Sequence, residues 1–172
     1  TRIACALFLG GMIHCDDLDN IAVEVGGKAV VQRGTVLEEL LGSLDLDSFQ
    51  RLDLSQEFAN QGVTKDDVDS VRLTNFTVRV DAPAGATLDF LESVSFYAEA
   101  EGQPSVLIAT IEDVPPGATE IALDVDSDVE LKPYVVAPSM TIRGEVEGAR
   151  PQQDTTVAAD VILDVDVSLP GC

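Results

Sequence analysis

Apolar residues recur at every second position over much of the chain. The clearest run is Val157, Ala159, Val161, Leu163, Val165 and Val167, which alternates with Thr156, Ala158, Asp160, Ile162, Asp164 and Asp166. A period of two places successive side chains on opposite faces, so this run predicts a strand with one buried face. The same pattern holds for Ile21, Val23 and Val25 against Ala22 and Glu24, and for Val94, Phe96 and Ala98 against Ser93, Ser95, Tyr97 and Glu99. It appears again in Ile121, Leu123 and Val125 within Glu120 to Asp126, and in Met140, Ile142 and Val146 within Ser139 to Glu147. Val106 to Ile111 is apolar on both parities, as expected of a central strand. Val71 and Leu73 lie on one parity while Phe76, Val78 and Val80 lie on the other. An uninterrupted strand would turn one of those sets to water, which predicts a bulge or bend near Thr74 and Asn75.

Turn residues punctuate these runs. Gly26 and Gly27 lie between Ile21 to Val25 and Lys28 to Arg33, a Gly-Gly pair that predicts a hairpin because both residues accept positive φ. Further breaks fall at Ala82 to Gly85, at Gly102 and Pro104, and at Pro115 to Gly117. Leu88 to Leu91 fits a helical turn, and Pro133 favours a turn or short helix within Leu131 to Val136. Thr35, with Glu38 three places on, has the pattern of a capping box, and Leu44 to Leu54 reads as extended. Ser55 to Gly62 reads as a short capped helix and Thr64 to Val68 as a capped turn, with Asp66, Asp67 and Asp69 near its start. Some eight short strands without regular intervening helices predict an all-β fold. The expected architecture is an antiparallel β-sandwich of immunoglobulin-like type, with one or two short helices in its connections. The paired Cys and the Trp that mark true immunoglobulin domains are absent.

Composition agrees with a strand-rich core. There is no Trp and there are only two Tyr and six Phe, so Val, Ile, Leu and Ala must fill the interior, a mixture that favours strands. With 31 Asp and Glu against 10 Lys and Arg, the formal charge is −21. Nucleic acid and anionic lipid surfaces reward clustered Lys and Arg, so neither is an expected partner. The acidic excess is read first as a solvated surface that keeps the domain soluble.

The N-terminal stretch differs from the rest. Arg2 precedes an uncharged apolar run from Ile3 to Ile13, which ends at His14, Cys15 and two aspartates. Eleven residues suit the apolar core of an export signal and fall short of the ~20 that a membrane-spanning helix needs. Residues 1–14 are therefore expected to be a signal segment and 15–172 a single β-sandwich domain. Cys5 lies inside the run, Cys15 closes it and Cys172 is the last residue, with no CxxC metal spacing. A basic residue, an apolar run and then Cys15 resemble the start of a bacterial lipoprotein precursor. In that family the cysteine carries the lipid and usually follows a small residue; His14 is larger. The resemblance covers about the first 15 residues. It implies lipid attachment at Cys15, a membrane partner through that lipid, and a location in the periplasm or outer membrane. A disulfide between Cys15 and Cys172 is the competing fate, and would need the two ends within about 7 Å.

Catalytic inventory is sparse. His14 is the only histidine and sits in the expected signal, so the processed chain would lack Ser-His and Cys-His arrangements and His-containing zinc sites. No GxGxxG or GxxxxGK[ST] phosphate loop occurs. Asn75, Phe76 and Thr77 spell a glycosylation sequon, a chance match in a strand behind a bacterial export signal. Asp124, Asp126 and Asp128 are the best metal candidates, since alternate spacing places three carboxylates on one side of an extended segment and calcium takes oxygen ligands. Val129 and Val135 occupy the Gly and Glu positions of a calcium-binding loop, however, and Asp164 with Asp166 forms a second pair on a strand face. The wet side of a sheet, protected against edge pairing, is the plainer account of both groups. The leading expectation is a non-catalytic, exported, lipid-anchored envelope module that binds a protein partner or serves structurally. A carrier of an apolar ligand between the sheets, and an enzyme working through carboxylates alone, are the alternatives.

Overall fold

A computed structural model describes residues 20–34, 60, 63–138 and 140–168. They form two antiparallel four-stranded sheets facing each other, an all-β sandwich. The strands are β1 (Asn20–Val31), β2 (Val68–Ala82), β3 (Leu91–Ala100), β4 (Val106–Ile111), β5 (Glu120–Ala122), β6 (Asp124–Val125), β7 (Met140–Gly148) and β8 (Thr155–Val167). One sheet has the order β1-β8-β2-β5 and the other β6-β4-β3-β7. The interior is lined by alternate residues of both sheets. Phe76 of β2 stacks on Phe96 of β3, with centroids 4.3 Å apart, and ties the layers together at mid-core. Burying aromatic side chains of this size stabilises the fold by roughly 1.5–3 kcal/mol each.

β8 is the centre of its sheet, flanked by β1 and β2. Its odd-numbered residues from Ala159 to Val167 are buried, as their alternation predicts. Ala158 is buried too, although it faces outward, because Lys28 and Arg79 stand beside it in register and long stems can cover a small residue. The predicted break in β2 is a bulge: Leu73 pairs with Leu163 and Asn75 with Ile162, which leaves Thr74 without an opposite number. Beyond that extra residue Phe76 and Val78 return to the core.

Two expectations are corrected. Gly26 and Gly27 do not form a hairpin turn, since β1 runs through them and pairs without a register shift from Asn20 with Asp166 to Val31 with Thr155. The period of two continues across the glycines to the buried Ala29 and Val31, and the thirteen-residue β8 supplies a partner for the whole length. Glu120 to Asp126 is also not one strand. β5 pairs with β2 and β6 pairs with β4, so the chain crosses between sheets at the buried Leu123. The Leu123 N–H donates to the Phe76 carbonyl at 2.9 Å, and the Asp126 N–H to that of Ile108 at 3.0 Å.

The short helical pieces serve as connections. Thr64 caps a 3-10 turn at Lys65–Asp67, where its N–H and hydroxyl both donate to the Asp67 carboxylate. Helix α1 (Lys132–Val135) has Pro133 in its first turn, where a missing N–H does no harm. Glu130 accepts from the Val71 and Lys132 N–H groups, each at 2.8 Å, and so fixes the entry to α1 against β2. The expected features at 1–19, 35–59 and 169–172, including the signal segment and the Thr35 and Leu44 to Leu54 elements, lie outside the described residues, as does most of Ser55 to Gly62.

Candidate functional site

The sandwich has two distinct ends. At one, β1 begins with Asn20, which pairs with Asp166, itself opposite Ser70 of β2. At the other, Val31 pairs with Thr155, and β2 ends at Ala82 beside Thr156. Eleven steps along β1 at about 3.4 Å separate the ends by about 37 Å. The Asn20 end is acidic and closed by local bonds: Ser70 donates to Asp166, Ser168 Oγ donates to Asp69, and the Ser168 N–H donates to the Asp67 carbonyl. The Thr64 hydroxyl, then the Thr64 N–H, hold the Asp67 carboxyl below its ordinary pKa.

Three connections meet at the opposite end: 83–90 between β2 and β3, 112–119 between β4 and β5, and 149–154 between β7 and β8. Backbone bonds join them. Leu88 N–H donates to Ala118, Val114 N–H to Glu92, Ala149 N–H to Phe90, and Gly34 N–H to Pro151. Asp89 is the hub: one carboxylate oxygen accepts from the Gly117 N–H at 2.5 Å and the other from the Thr87 hydroxyl at 2.7 Å. The Gly117 N–H, and next the Thr87 hydroxyl, keep its carboxyl ionised below the usual carboxylate pKa. Asp89 therefore clamps two turns lying 28 residues apart in sequence.

This clamp forms the wall between two clefts. One, of about 230 Å³, lies between Thr87, Phe90, Arg150 and Gln152. The second, of about 400 Å³, is bounded by Glu92, Asp113, Val114 and Gly148, and shares Asp89 and Ala149 with the first. Both are open, and their chemistry is carboxylates, two side-chain amides from Gln152 and Gln153, and Arg150. Such a surface can hydrogen-bond a polar partner. The smaller cleft lies below the ~300–1,000 Å³ of pockets that bury small ligands, and the larger lies near the floor of that range.

From the second cleft the acidic surface continues onto the outer face of the β6-β4-β3-β7 sheet. A groove of about 360 Å³ is lined there by Ser93, Ser95, Thr110, Glu112, Glu145 and Glu147. Its hydroxyls are engaged: Ser95 and Thr110 share a bond of 2.8 Å, and Ser93 donates to Glu147 at 3.3 Å. Arg143 bonds Glu145 of this lining. Its guanidinium lies 4.6 Å from the Tyr97 ring centroid and bonds Glu99 at 2.8 Å and Glu145 at 2.5 Å. Arg143 lowers the pKa of both carboxyls. On the other sheet a chain of charges runs from Lys28 through Asp81 and Arg79 to Asp160, with bonds of 2.8, 3.2 and 3.2 Å. Such exposed pairs contribute roughly 0–1 kcal/mol each.

The proposed calcium ligands are not gathered into a cage. Asp124 opens β6 and is exposed, and the Asp126 carboxylate accepts the Asp128 N–H at 3.1 Å, as a turn residue does. Among the described residues no three His, Cys, Asp or Glu side chains are placed to hold a metal ion. Asp164 and Asp166 lie together on the outer face of β8, opposite Arg72 and Ser70. Cys15, the expected lipid-bearing residue, lies outside the described residues, together with Cys5 and Cys172. Between the sheets, the cavity lined by Val31, Val78, Phe90, Phe96 and Val146 measures about 40 Å³. That is far below the ~300–1,000 Å³ of pockets that bury small ligands. Asp89, Glu130 and Arg150 were not singled out by sequence; the spacing of Thr87 and Asp89 was the one local sign of the clamp.

No protein-family model matches the chain, and a search of curated proteins finds none similar to it.

Proposed function

We propose that this protein is an exported, lipid-anchored module of a bacterial cell envelope, without catalytic activity, that works through protein contacts made at the Asp89 end. The observation that supports this reading is the opposite placement of the Asn20 end and the loop-end clefts. Cys15 precedes Asn20 by five residues, a reach of at most about 17 Å. A lipid there would hold the acidic Asn20 end beside the bilayer and direct the clefts outward, about 37 Å away along β1.

Open clefts with carboxylates, amides and Arg150 suit the polar surface of a protein partner, where shallow complementarity and a rigid frame count for more than enclosure. The Asp89 clamp supplies the rigidity. Fractionation of bacterial cells making the chain tests the anchor: the protein is expected with the membranes, and a Cys15→Ala variant in the soluble envelope fraction. Equal soluble amounts of both would refute the reading.

A further inference from the structure

We propose that β1, in chains not held to a membrane through Cys15, is the seam of a symmetric dimer, in which the β1 edges of two copies pair antiparallel and join their sheets into one of eight strands; this pairing sets the Asn20 end of one copy beside the Val31 end of the other and so excludes the one-sided anchoring proposed above. β1 stands at the edge of its sheet and, among the described residues, pairs only with β8. It is twelve residues long and carries no bulge, whereas natural edge strands of that length are normally interrupted or shielded because their outward N–H and C=O groups template further pairing. Val30, one of two large apolar side chains exposed among the described residues, lies on this strand at 54% exposure.

The occupant follows from the order of side chains. On the outer face β1 reads Ala22, Glu24, Gly26, Lys28, Val30. A two-fold axis through Gly26 sets Glu24 of each copy opposite Lys28 of the other, Ala22 opposite Val30, and Gly26 opposite itself. The inner positions remain apolar against apolar, with Val23 opposite Ala29. Moving the axis to Val25 or Gly27 sets Lys28 against Ala22 or Gly26, and the charge pairs are lost. The strand is thus self-complementary in one register only, as a two-fold interface demands. Directly opposed unlike charges stabilise an antiparallel pair and like charges oppose it. Gly26 at the axis fits as well, because glycine in a strand permits close approach by another backbone. Glu24 makes no ion pair among the described residues, and Lys28, with a side chain 59% exposed, would take Glu24 of the second copy in addition to the Asp81 carboxylate that it already bonds at 2.8 Å.

Salt dependence alone would not test this, since salt screens the Glu24–Lys28 pairs and the repulsion of two chains of charge −21 together. Sedimentation of the full chain and three charge variants does. The unaltered chain is expected to dimerise. Glu24→Lys and Lys28→Glu should each weaken self-association by about tenfold or more, because each sets like charges opposite one another twice per dimer. An equimolar mixture of these two variants should recover the dimer, as should the double exchange E24K/K28E by itself. A monomeric unaltered chain, single variants that dimerise as it does, or a mixture and double exchange that stay monomeric would overturn the proposal. The double exchange decides if either single variant fails to fold.

Discussion

Leu73 and Phe76 lie three residues apart on one strand and both point into the core. In a regular strand that spacing would send one of them to solvent. Thr74 is the extra residue that reconciles them, and each of its neighbours keeps its partner on β8.

The bulge makes a contrasting pair of deletions informative. Removing Thr74 leaves Leu73, Asn75 and Phe76 opposite Leu163, Ile162 and Val161 in sequence, so the fold should persist with the loss of about one hydrogen bond, near 1 kcal/mol. Removing Thr77 realigns the strand with Asn75 inward and Phe76 outward. It should destabilise by about 3–5 kcal/mol, as loss of a buried Phe does. Urea unfolding of the two deletion variants checks the difference.

Asp89 links stability to pH. Its folded-state pKa is held below the ordinary 3.8 by the Gly117 N–H and the Thr87 hydroxyl. A depressed carboxyl contributes stability that is fully present above the unfolded value and is lost as pH falls through the folded one. Asp89→Ala should therefore lower the melting temperature at neutral pH, and the gap to the unaltered protein should narrow in acid below 3.8. A gap that stays constant with pH would show that the clamp does not depend on ionisation.

Gly148 holds the rim of the larger cleft. Its φ of 152° lies in the region that favours glycine, and a Cβ there would sit 2.2 Å from the Phe90 carbonyl oxygen and 2.9 Å from the Glu92 nitrogen. Backbone atoms cannot rotate away, so Gly148→Ala should destabilise by about 3 kcal/mol or more. Gly117, at φ 75° with open space around it, should tolerate Ala at about 1–2 kcal/mol. Thermal melting of the two variants gives the comparison.

Calcium should leave the melting temperature unchanged relative to chelator, because the Asp126 carboxylate serves the Asp128 N–H and the three aspartates of this segment do not converge. Asp126→Ala should cost about 1 kcal/mol through the lost turn bond alone. A melting shift with calcium that Asp126→Ala abolishes would restore the metal reading.

How far the sequence carried depends on whether a feature is local. The alternation in β8, the bulge at Thr74 and the capped turn at Thr64 are written in neighbouring residues, and each is present. Gly26 and Gly27 misled because glycine serves turns and close strand pairing alike, and the deciding factor was the length of β8, far away in the chain. Leu123 alternates correctly whichever sheet its neighbours join, so a period of two could not reveal the crossing between β5 and β6. The loop-end clefts were invisible for the same reason. They depend on Asp89 reaching Gly117 and Ala149 reaching Phe90, contacts that only the packing of the sheets creates.

On the reading proposed above, Cys15 is the lipid-bearing N-terminus that orients the sandwich. Intact-mass measurement of the protein recovered from bacterial membranes tests it most directly. The expected species begins at Cys15 and is heavier than the bare polypeptide by the mass of attached acyl groups. A species that retains residues 1–14 and carries no lipid would contradict the account.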